Sequence, residues 1–370
     1  MSTPEGSTKI TEGATELFVP SIHSEKGPGK RVGRVFFNDQ MAFNRDVSVM
    51  LLGAYPQAKS ALDAMASTGA RAVRIAHEVR PDLKIVANDR DAEAHKFIEA
   101  NVELNHLENV ETSHDDLKCL LARRVFDYID IDPFGTPVPF VPSIMQGLKR
   151  HGVAGITATD TAPLAGTYPK KCVRRYGSFS MRSPFGHESG VRILIAHIAR
   201  EAAKEDKGLE CLLSFYADHY MRTYVRVRDG GGEADATLAK LGYIDYDRTT
   251  GVRTISAERT GPRSIGPLWL GPLHDKDLLT NMTVGEGLQT RTRCAKYLEL
   301  WRNELDVPFF YENDEIASML KVSPQRLDVV LESLGSSGKV SKTHFTPTGI
   351  RTDLPLHDVL DIYRDAAREA

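Results

Sequence analysis

The chain has 370 residues, 41% apolar and 26% charged, with a formal net charge of −3 at pH 7. Such a length predicts about two domains, and the balance is that of an ordinary soluble globular protein. A membrane-spanning protein is excluded, because no window approaches the ~18 consecutive apolar residues of a span; so is a protein that attracts polyanions through its total charge.

Met1 to Thr11 is polar and has no apolar signal core, so a cytoplasmic location is expected. Cys119, Cys172, Cys211 and Cys294 are scattered without C-x-x-C spacing. That predicts a reducing compartment, no disulfide scaffold and no metal site.

Ala61 to Ala66 reads as a short buried strand, and Ser67-Thr68-Gly69 as a turn. Ala72, Val73, Ala76 and Val79 have helical spacing within Ala70 to Val79. Leu83 to Ala87 is a second strand, followed by a helix from Ala92 to Leu104. Phe126 to Ile131 is a strand, Val138 to Leu148 a helix, and Val153 to Ala158 a strand again. Strands alternating with helices predict a parallel sheet covered on both faces. Ser189 to Lys204 reads as an amphipathic helix, and Leu209 to Phe215 and Met221 to Arg228 as a closing pair of strands. A mostly parallel sheet closed by such a pair is the usual form of the α/β class I S-adenosylmethionine-dependent methyltransferase fold, so a Rossmann-like, mostly parallel seven-stranded sheet is expected.

Asp229-Gly230-Gly231-Gly232-Glu233 reads as a hinge-like break. It divides the chain into residues 1–230, a catalytic domain, and residues 231–370, a smaller α+β domain. In the second part a hairpin is expected around Asp247 to Gly251, with mainly helix beyond Thr280. Ser323 as N-cap and Pro324 at the first helical position predict a helix from Gln325 to Leu334. A strand from Lys339 to Phe345 follows. That order suits a winged-helix-like module or a generic small α/β unit.

Three basic stretches stand out. Lys170, Lys171, Arg174, Arg175 and Arg182 interleave with Tyr168, Tyr176 and Phe179; Lys26, Lys30, Arg31 and Arg34 form a second; Arg222, Arg226 and Arg228 form a third. In a mildly acidic protein they read together as the footprint of a polyanion.

The hexapeptide Asp130-Ile131-Asp132-Pro133-Phe134-Gly135 ends an apolar strand. A strand-end turn with a capping Asp would account for it. It also suits chemistry on an exocyclic base amine: Asp132 accepts an amino hydrogen, Pro133 fixes the turn and offers its carbonyl, and Phe134 stacks on the base. Ligands bind beyond the carboxyl ends of the strands in such a sheet. Asp63 ends the first strand, Gly69 supplies the tight turn, and Asp89 lies where a carboxylate meets ribose hydroxyls. The further glycines of G-x-G-x-x-G are missing, which favours S-adenosylmethionine over a dinucleotide with its pyrophosphate. Asp115-Asp116, beyond the third strand region, can reach an adenine amine or can be two solvated loop acids.

The hexapeptide with Thr136-Pro137, Val35 to Asn38 with Met41 to Asp46, Thr157 to Leu164, Gly266 to Leu273, and Thr343 to Phe345 with Pro347 to Gly349 resemble the tRNA guanine-26 N2-dimethyltransferase family. The resemblance runs from about Glu12 to Asp353. It implies S-adenosylmethionine as cofactor and tRNA as partner, with a family-specific C-terminal domain. It also implies Arg45 and Arg71 at the cofactor beside Asp89, Asp115 and Asp116, Asp132 as the catalytic carboxylate, and Phe36 and Phe134 flanking the base. On composition alone Arg45 reads as a surface ion pair with Asp46, and Phe36 as core. Some family members carry paired cysteines before the segment matching Gly266 to Leu273; Thr254 to Ile265 has none, so no zinc is expected. A monomer without an obligate protein partner is expected. Another exocyclic-amine methyltransferase and a non-catalytic RNA-binding protein remain the alternatives.

Overall fold

A computed structural model describes residues 3–25 and 33–369. Lys26, Lys30 and Arg31 of the second basic stretch lie outside the described residues. The chain opens with a hairpin, β1 (Ser7–Glu12) and β2 (Thr15–Pro20), that has no counterpart among the expected elements. Leu17 and Val19 of β2 pack against Phe37, Ala70 and Val73.

After α1 (Ala42–Gly53), β3 (Ser60–Asp63), α2 (Ala70–Glu78), β4 (Lys84–Asn88), α3 (Ala92–Leu104), β5 (Val110–Ser113), α4 (Leu117–Leu121) and β6 (Phe126–Ile131) alternate. They continue through α5 (Val141–Gly147) and β7 (Leu148–Ala158). Two short helices, α6 (Thr161–Leu164) and α7 (Pro169–Tyr176), precede α8 (Gly186–Ala203), β8 (Lys207–Ala217) and β9 (Tyr220–Asp229). The seven strands order as β5-β4-β3-β6-β7-β9-β8. The first five are parallel, and β9 runs antiparallel to both β7 and β8. Asp91 caps α3, accepting from the Glu93 N–H at 2.9 Å.

Two expectations are corrected here. Helix α8 is not amphipathic: Val191, Ile193, Leu194, Ile195 and Ile198 are all fully buried. The sheet covers one side, and a strand from the second half of the chain covers the other. The glycine-rich segment is not a hinge. It opens helix α9 (Gly231–Leu238), which packs on β8 and α8. Gly230 is glycine because φ is 130° there. Gly208 opposite is glycine because a Cβ would lie 2.4 Å from the Glu233 carbonyl oxygen.

β10 (Leu241–Tyr246), β11 (Arg253–Ser256) and β12 (Ser264–Trp269) form a second, antiparallel sheet, with the expected turn around Asp247 joining the first two. Helices α10 (Lys276–Asn281) and α11 (Arg291–Asn303) follow, then β13 (Tyr311–Glu312), α12 (Asn313–Leu320), α13 (Leu327–Gly335), β14 (Val340–Lys342), β15 (Gly349–Thr352) and α14 (Leu356–Glu369). Two helices followed by a hairpin is the order of a winged-helix module. Helix α13 starts later than expected, at Leu327, without a Ser323 cap. Tertiary bonds hold Gln325 outside it: its N–H donates to the Tyr363 hydroxyl and its carbonyl accepts from Asn313.

One apolar core runs from the sheet through α8 into Ile244, Ile265, Leu268, Trp269, Phe309, Phe310 and Phe345. Ile316, Val330, Leu334, Ile350, Val359 and Tyr363 form a separate small core. Where the two halves meet, Arg351 reaches Glu188 on α8 at 3.2 Å and Glu304 at 2.7 Å. Arg192 bonds Glu188 at 2.8 Å and the carbonyls of Trp269 and Gly271. His344 Nδ1 and His274 Nε2 face Glu304 Oε2 at 2.5 and 3.3 Å. His274, Glu304 and His344 are a buried trio with the donor types of a metal site. Their surroundings suit hydrogen bonding better: two acids and two guanidiniums already balance, and Lys276 lies beside them. Burial pushes His274 down to about 4, which keeps it neutral.

Candidate active site

Strand β6 carries two acids to the carboxyl edge of the sheet. Asp130 is buried and Asp132 is partly open. A buried carboxylate needs partners. Asp130 has Arg222 at 3.1 Å, Arg71 at 3.2 Å and the Tyr128 hydroxyl at 2.5 Å. Burial alone would raise its pKa; the two guanidiniums outweigh that and hold it low. Arg222 reaches Asp130 across β7 because position 155 is glycine; a Cβ there would lie 2.5 Å from its Nη2.

Arg71, in the first turn of α2, donates to Asp132 at 2.6 Å. Its Nη1 donates to both Asn44 at 2.9 Å and Ser48 at 2.7 Å on α1. The Asp132 carboxylate is therefore fixed from behind by a guanidinium that three other groups, Asp130, Asn44 and Ser48, hold in place. Asp63 is the register partner of Asp130 and accepts from the Ala72 N–H at 3.2 Å. Burial pushes its carboxyl up to about 7, with Arg71 opposing and Asp130 and Asp132 adding to the rise.

Beyond Asp132, Pro133 is buried and Gly135 takes φ 84°. The Gly135 N–H donates to the Thr159 hydroxyl at 2.7 Å, and its carbonyl accepts from the Thr159 N–H at 2.9 Å. This turn leaves the Phe134 ring 57% exposed, edge-on to Phe36 at 4.7 Å. Phe36 is half-buried, not a core residue, and Ser67 bonds both its N–H and its carbonyl. A cavity of about 20 Å³ lies beside the turn, lined by Asn38, Gln40, Met41, Thr159, Asp218, His219 and Tyr220.

Gly69, Asp89, Asp115 and Asp116 follow the strand ends and the loops after them, whereas Arg45 is tied to Glu12 of the N-terminal hairpin. Gly69 has φ 76°, letting backbone come close to a ligand. Each Asp89 oxygen accepts one backbone N–H, from Ser67 and Asp91 at 2.9 Å, and keeps capacity for a hydroxyl. Asp115 pairs with Arg123, and Asp116 caps α4 through Lys118 N–H at 2.9 Å. Arg45 is not a surface partner of Asp46. It is buried, bidentate to Glu12 at 2.6 and 2.5 Å, and stacked on Phe37. Asp46 instead holds Arg74 at 2.6 Å, because α1 lies under α11 and leaves no surface on that side.

Of the basic stretches, α7 presents Lys170 and Arg174 to solvent, with Lys171 half-buried. Arg175 bonds Asp160 at 2.7 Å, and Tyr176 links Asp160 to Thr136 of the active-site turn. The basic helix is thus tied to that turn. The third stretch is corrected: Arg222 is fully buried on Asp130, while Arg226 and Arg228 share Glu210. Arg222 and Thr159 carry site geometry, although the sequence reading gave neither a role in the site. The signal for Arg222 was Asp130 itself, a strand acid that needs a buried cation.

Acid-bearing strand tips, a left-handed glycine turn and a ribose-competent Asp89 fit a cationic adenosine donor. The fold and this edge define a class I S-adenosylmethionine-dependent methyltransferase. A model of the N2,N2-dimethylguanosine tRNA methyltransferase family matches residues 19–364. The tRNA (guanine(26)-N(2))-dimethyltransferase of Pyrococcus abyssi is 36% identical over 97% of this chain and 99% of its own. That of Pyrococcus furiosus is 37% identical over 96% and 98%. The structure of Trm1 from Pyrococcus horikoshii with S-adenosyl-L-methionine superposes with a TM-score of 0.89 at 35% identity, covering 96% of this chain and 99% of that one. The chain belongs to the N2,N2-dimethylguanosine tRNA methyltransferase family.

Proposed function

We propose that this chain transfers one or two methyl groups from S-adenosylmethionine to the exocyclic N2 of guanine 26 in tRNA. The observation that carries the reading is Asp132, fixed by Arg71 at 2.6 Å and set one residue from Pro133 and two from an exposed Phe134 ring. The test is transfer of labelled methyl to an unmodified tRNA transcript with guanine at position 26, beside one with adenine there. Label as N2-methyl- or N2,N2-dimethylguanosine in the first transcript alone establishes it; equal label in both moves the target elsewhere.

When bound, S-adenosylmethionine supplies an electrophilic methyl on a sulfonium, and the C–S bonding electrons leave with sulfur. Arg45, Asp63, Gly69, Arg71, Asp89, Asp115 and Asp116 form the cofactor side of the site. Phe134 and Phe36 stack on the flipped base, offsetting an extrusion cost of a few kcal/mol by roughly 1–3 kcal/mol per ring. Asp132 accepts an N2 hydrogen and aims the nitrogen lone pair at the methyl. As the N–C bond forms, the N2 proton passes to Asp132 and on to solvent. For the second methyl, the remaining N2 hydrogen meets Asp132 in the same way. The Pro133 carbonyl accepts in the same plane.

Phe134→Ala is expected to lower kcat/KM by about 10- to 100-fold with an unchanged melting temperature, since the ring is exposed. Lys170, Lys171, Arg174 and Arg175, together with residues 231–370, grip the phosphates. Replacing Lys170, Lys171 and Arg174 together by alanine is expected to reduce the slope of log affinity against log salt by about 2–3. An unchanged slope would remove α7 from the interface. We place the enzyme in the cytoplasm as a monomer. All four cysteines are free, and no helix among the described residues is long and apolar enough to cross a membrane.

A further inference from the structure

Five charged side chains share the buried carboxyl edge of the sheet: Asp63 from β3, Asp130 from β6, Asp132 just beyond it, Arg71 from α2 and Arg222 from β9. Arg71 bridges Asp130 at 3.2 Å and Asp132 at 2.6 Å; Arg222 sits on Asp130 at 3.1 Å. Asp63 lies opposite Asp130 in register and, among the described residues, has one hydrogen-bond donor, the Ala72 N–H. The other groups at the cluster are uncharged: Tyr128 on β6, Asn44 and Ser48 on α1, Thr157 on β7, and Tyr220 and Tyr224 on β9. Three carboxylates therefore face two guanidiniums. Among the described residues one negative charge has no cation, in a place where Asp63, Asp130, Arg71 and Arg222 are all at most 6% exposed.

S-adenosylmethionine carries a sulfonium, an ammonium and a carboxylate, a net +1. S-adenosylhomocysteine has lost the sulfonium charge and is neutral overall. Resting on the functional reading above, we propose that the cluster is built one positive charge short, so that it selects the cationic donor over the neutral product and exchanges a proton for the donor. Asp63 is where that proton sits in the cofactor-free chain. It is the acid without a guanidinium partner, and burial pushes its carboxyl up to about 7. Binding of a cation beside it favours the carboxylate and expels the proton. The sign follows. Below pH 7 the donor must displace a proton and binds more weakly; above pH 7 the carboxylate is already free and affinity levels off. After transfer, methylated N2 sheds one proton, so the cation that balanced the cluster is gone. The edge again has an uncompensated charge, and the neutral product is held less firmly.

The proposal is tested by calorimetric titration of the full chain with each of the two compounds, in buffers of differing ionisation enthalpy. With S-adenosylmethionine, about 0.7 proton is expected to be released at pH 6.5 and about 0.1 at pH 8. Its affinity should rise about tenfold from pH 6 to pH 8, and that of S-adenosylhomocysteine less than threefold. Asp63→Asn should bring the released proton count near zero. Asp132→Asn, which leaves two acids for two guanidiniums, should lower it as well and narrow the preference for the donor. Equal proton release with both compounds, no release with the donor, or undiminished release from Asp63→Asn would overturn the proposal while leaving the methyltransferase reading intact. Failure of the donor to bind at any pH would overturn both. The comparison of the two compounds on the unaltered chain needs no variant to fold.

Discussion

Asp132→Ala is expected to lower the methyl-transfer rate by about 10³-fold while S-adenosylmethionine still binds. The two effects separate because Arg71 loses one of its partners and keeps the others. Asp130, Asn44 and Ser48 continue to hold the guanidinium at 3.2, 2.9 and 2.7 Å. The edge of the sheet therefore survives, and what disappears is the acceptor for the N2 hydrogen. Asp132→Asn distinguishes the acceptor from the charge. Its amide oxygen can still take an N2 hydrogen, but it cannot take the proton, so a rate between those of the unaltered chain and the alanine variant is expected. Single-turnover methyl transfer beside calorimetric cofactor binding reads both quantities. A near-normal rate for Asp132→Ala would remove this carboxylate from the mechanism.

Much of this site could be read from the chain because its chemistry is local. Asp132, Pro133, Phe134 and Gly135 are consecutive, and a strand followed by a tight glycine turn announces itself in six residues. Helix Ala92–Leu104 and strand Phe126–Ile131 have the bounds that their periodicity predicts. Failures occurred where distant segments decide. Arg222, Arg226 and Arg228 share one face of β9 like a basic surface strip, yet α1 covers that face at Arg222, which bonds Asp130 and Ser48 there. The face of α8 that looked polar by spacing is covered by β12, and its Glu188 and Arg192 are buried in ion pairs. Arg45 and Asp46 are neighbours in sequence but bond to Glu12 and Arg74, from elements that fold against α1. Charged residues whose partners lie tens to hundreds of positions away carry no local signature. The same holds for motif segments that do not touch the reacting edge. Trp269 and Gly271 of one such segment accept from Arg192, and His344 of another bonds Glu304. Those motifs join the two halves of the chain.

That junction gives the largest expected effect on stability. Glu304 is 3% exposed and receives Arg351 Nε at 2.7 Å, His344 Nδ1 at 2.5 Å and the Thr343 hydroxyl. Removing it takes the partner from these three and from His274 Nε2 at 3.3 Å, four buried groups at once. Arg351 retains Glu188, which Arg192 already neutralises, so the junction goes from two acids and two guanidiniums to one acid and two guanidiniums. Breaking a buried pair from one side costs about 3–5 kcal/mol, and Glu304→Ala should fall in that range by denaturant unfolding. Glu304→Gln keeps an acceptor oxygen and should lie between. The effect has a pH signature with a fixed sign. Burial would raise the Glu304 pKa, but His344 and Arg351 hold it well below the ordinary value of 4.5. Its contribution is therefore complete above pH 4.5 and is lost as pH falls through the lowered value. The gap between the unaltered chain and Glu304→Ala should shrink as pH falls below 4.5. A gap that widened in acid would mean that Glu304 is held protonated, and the charge balance assigned to this junction would then be wrong.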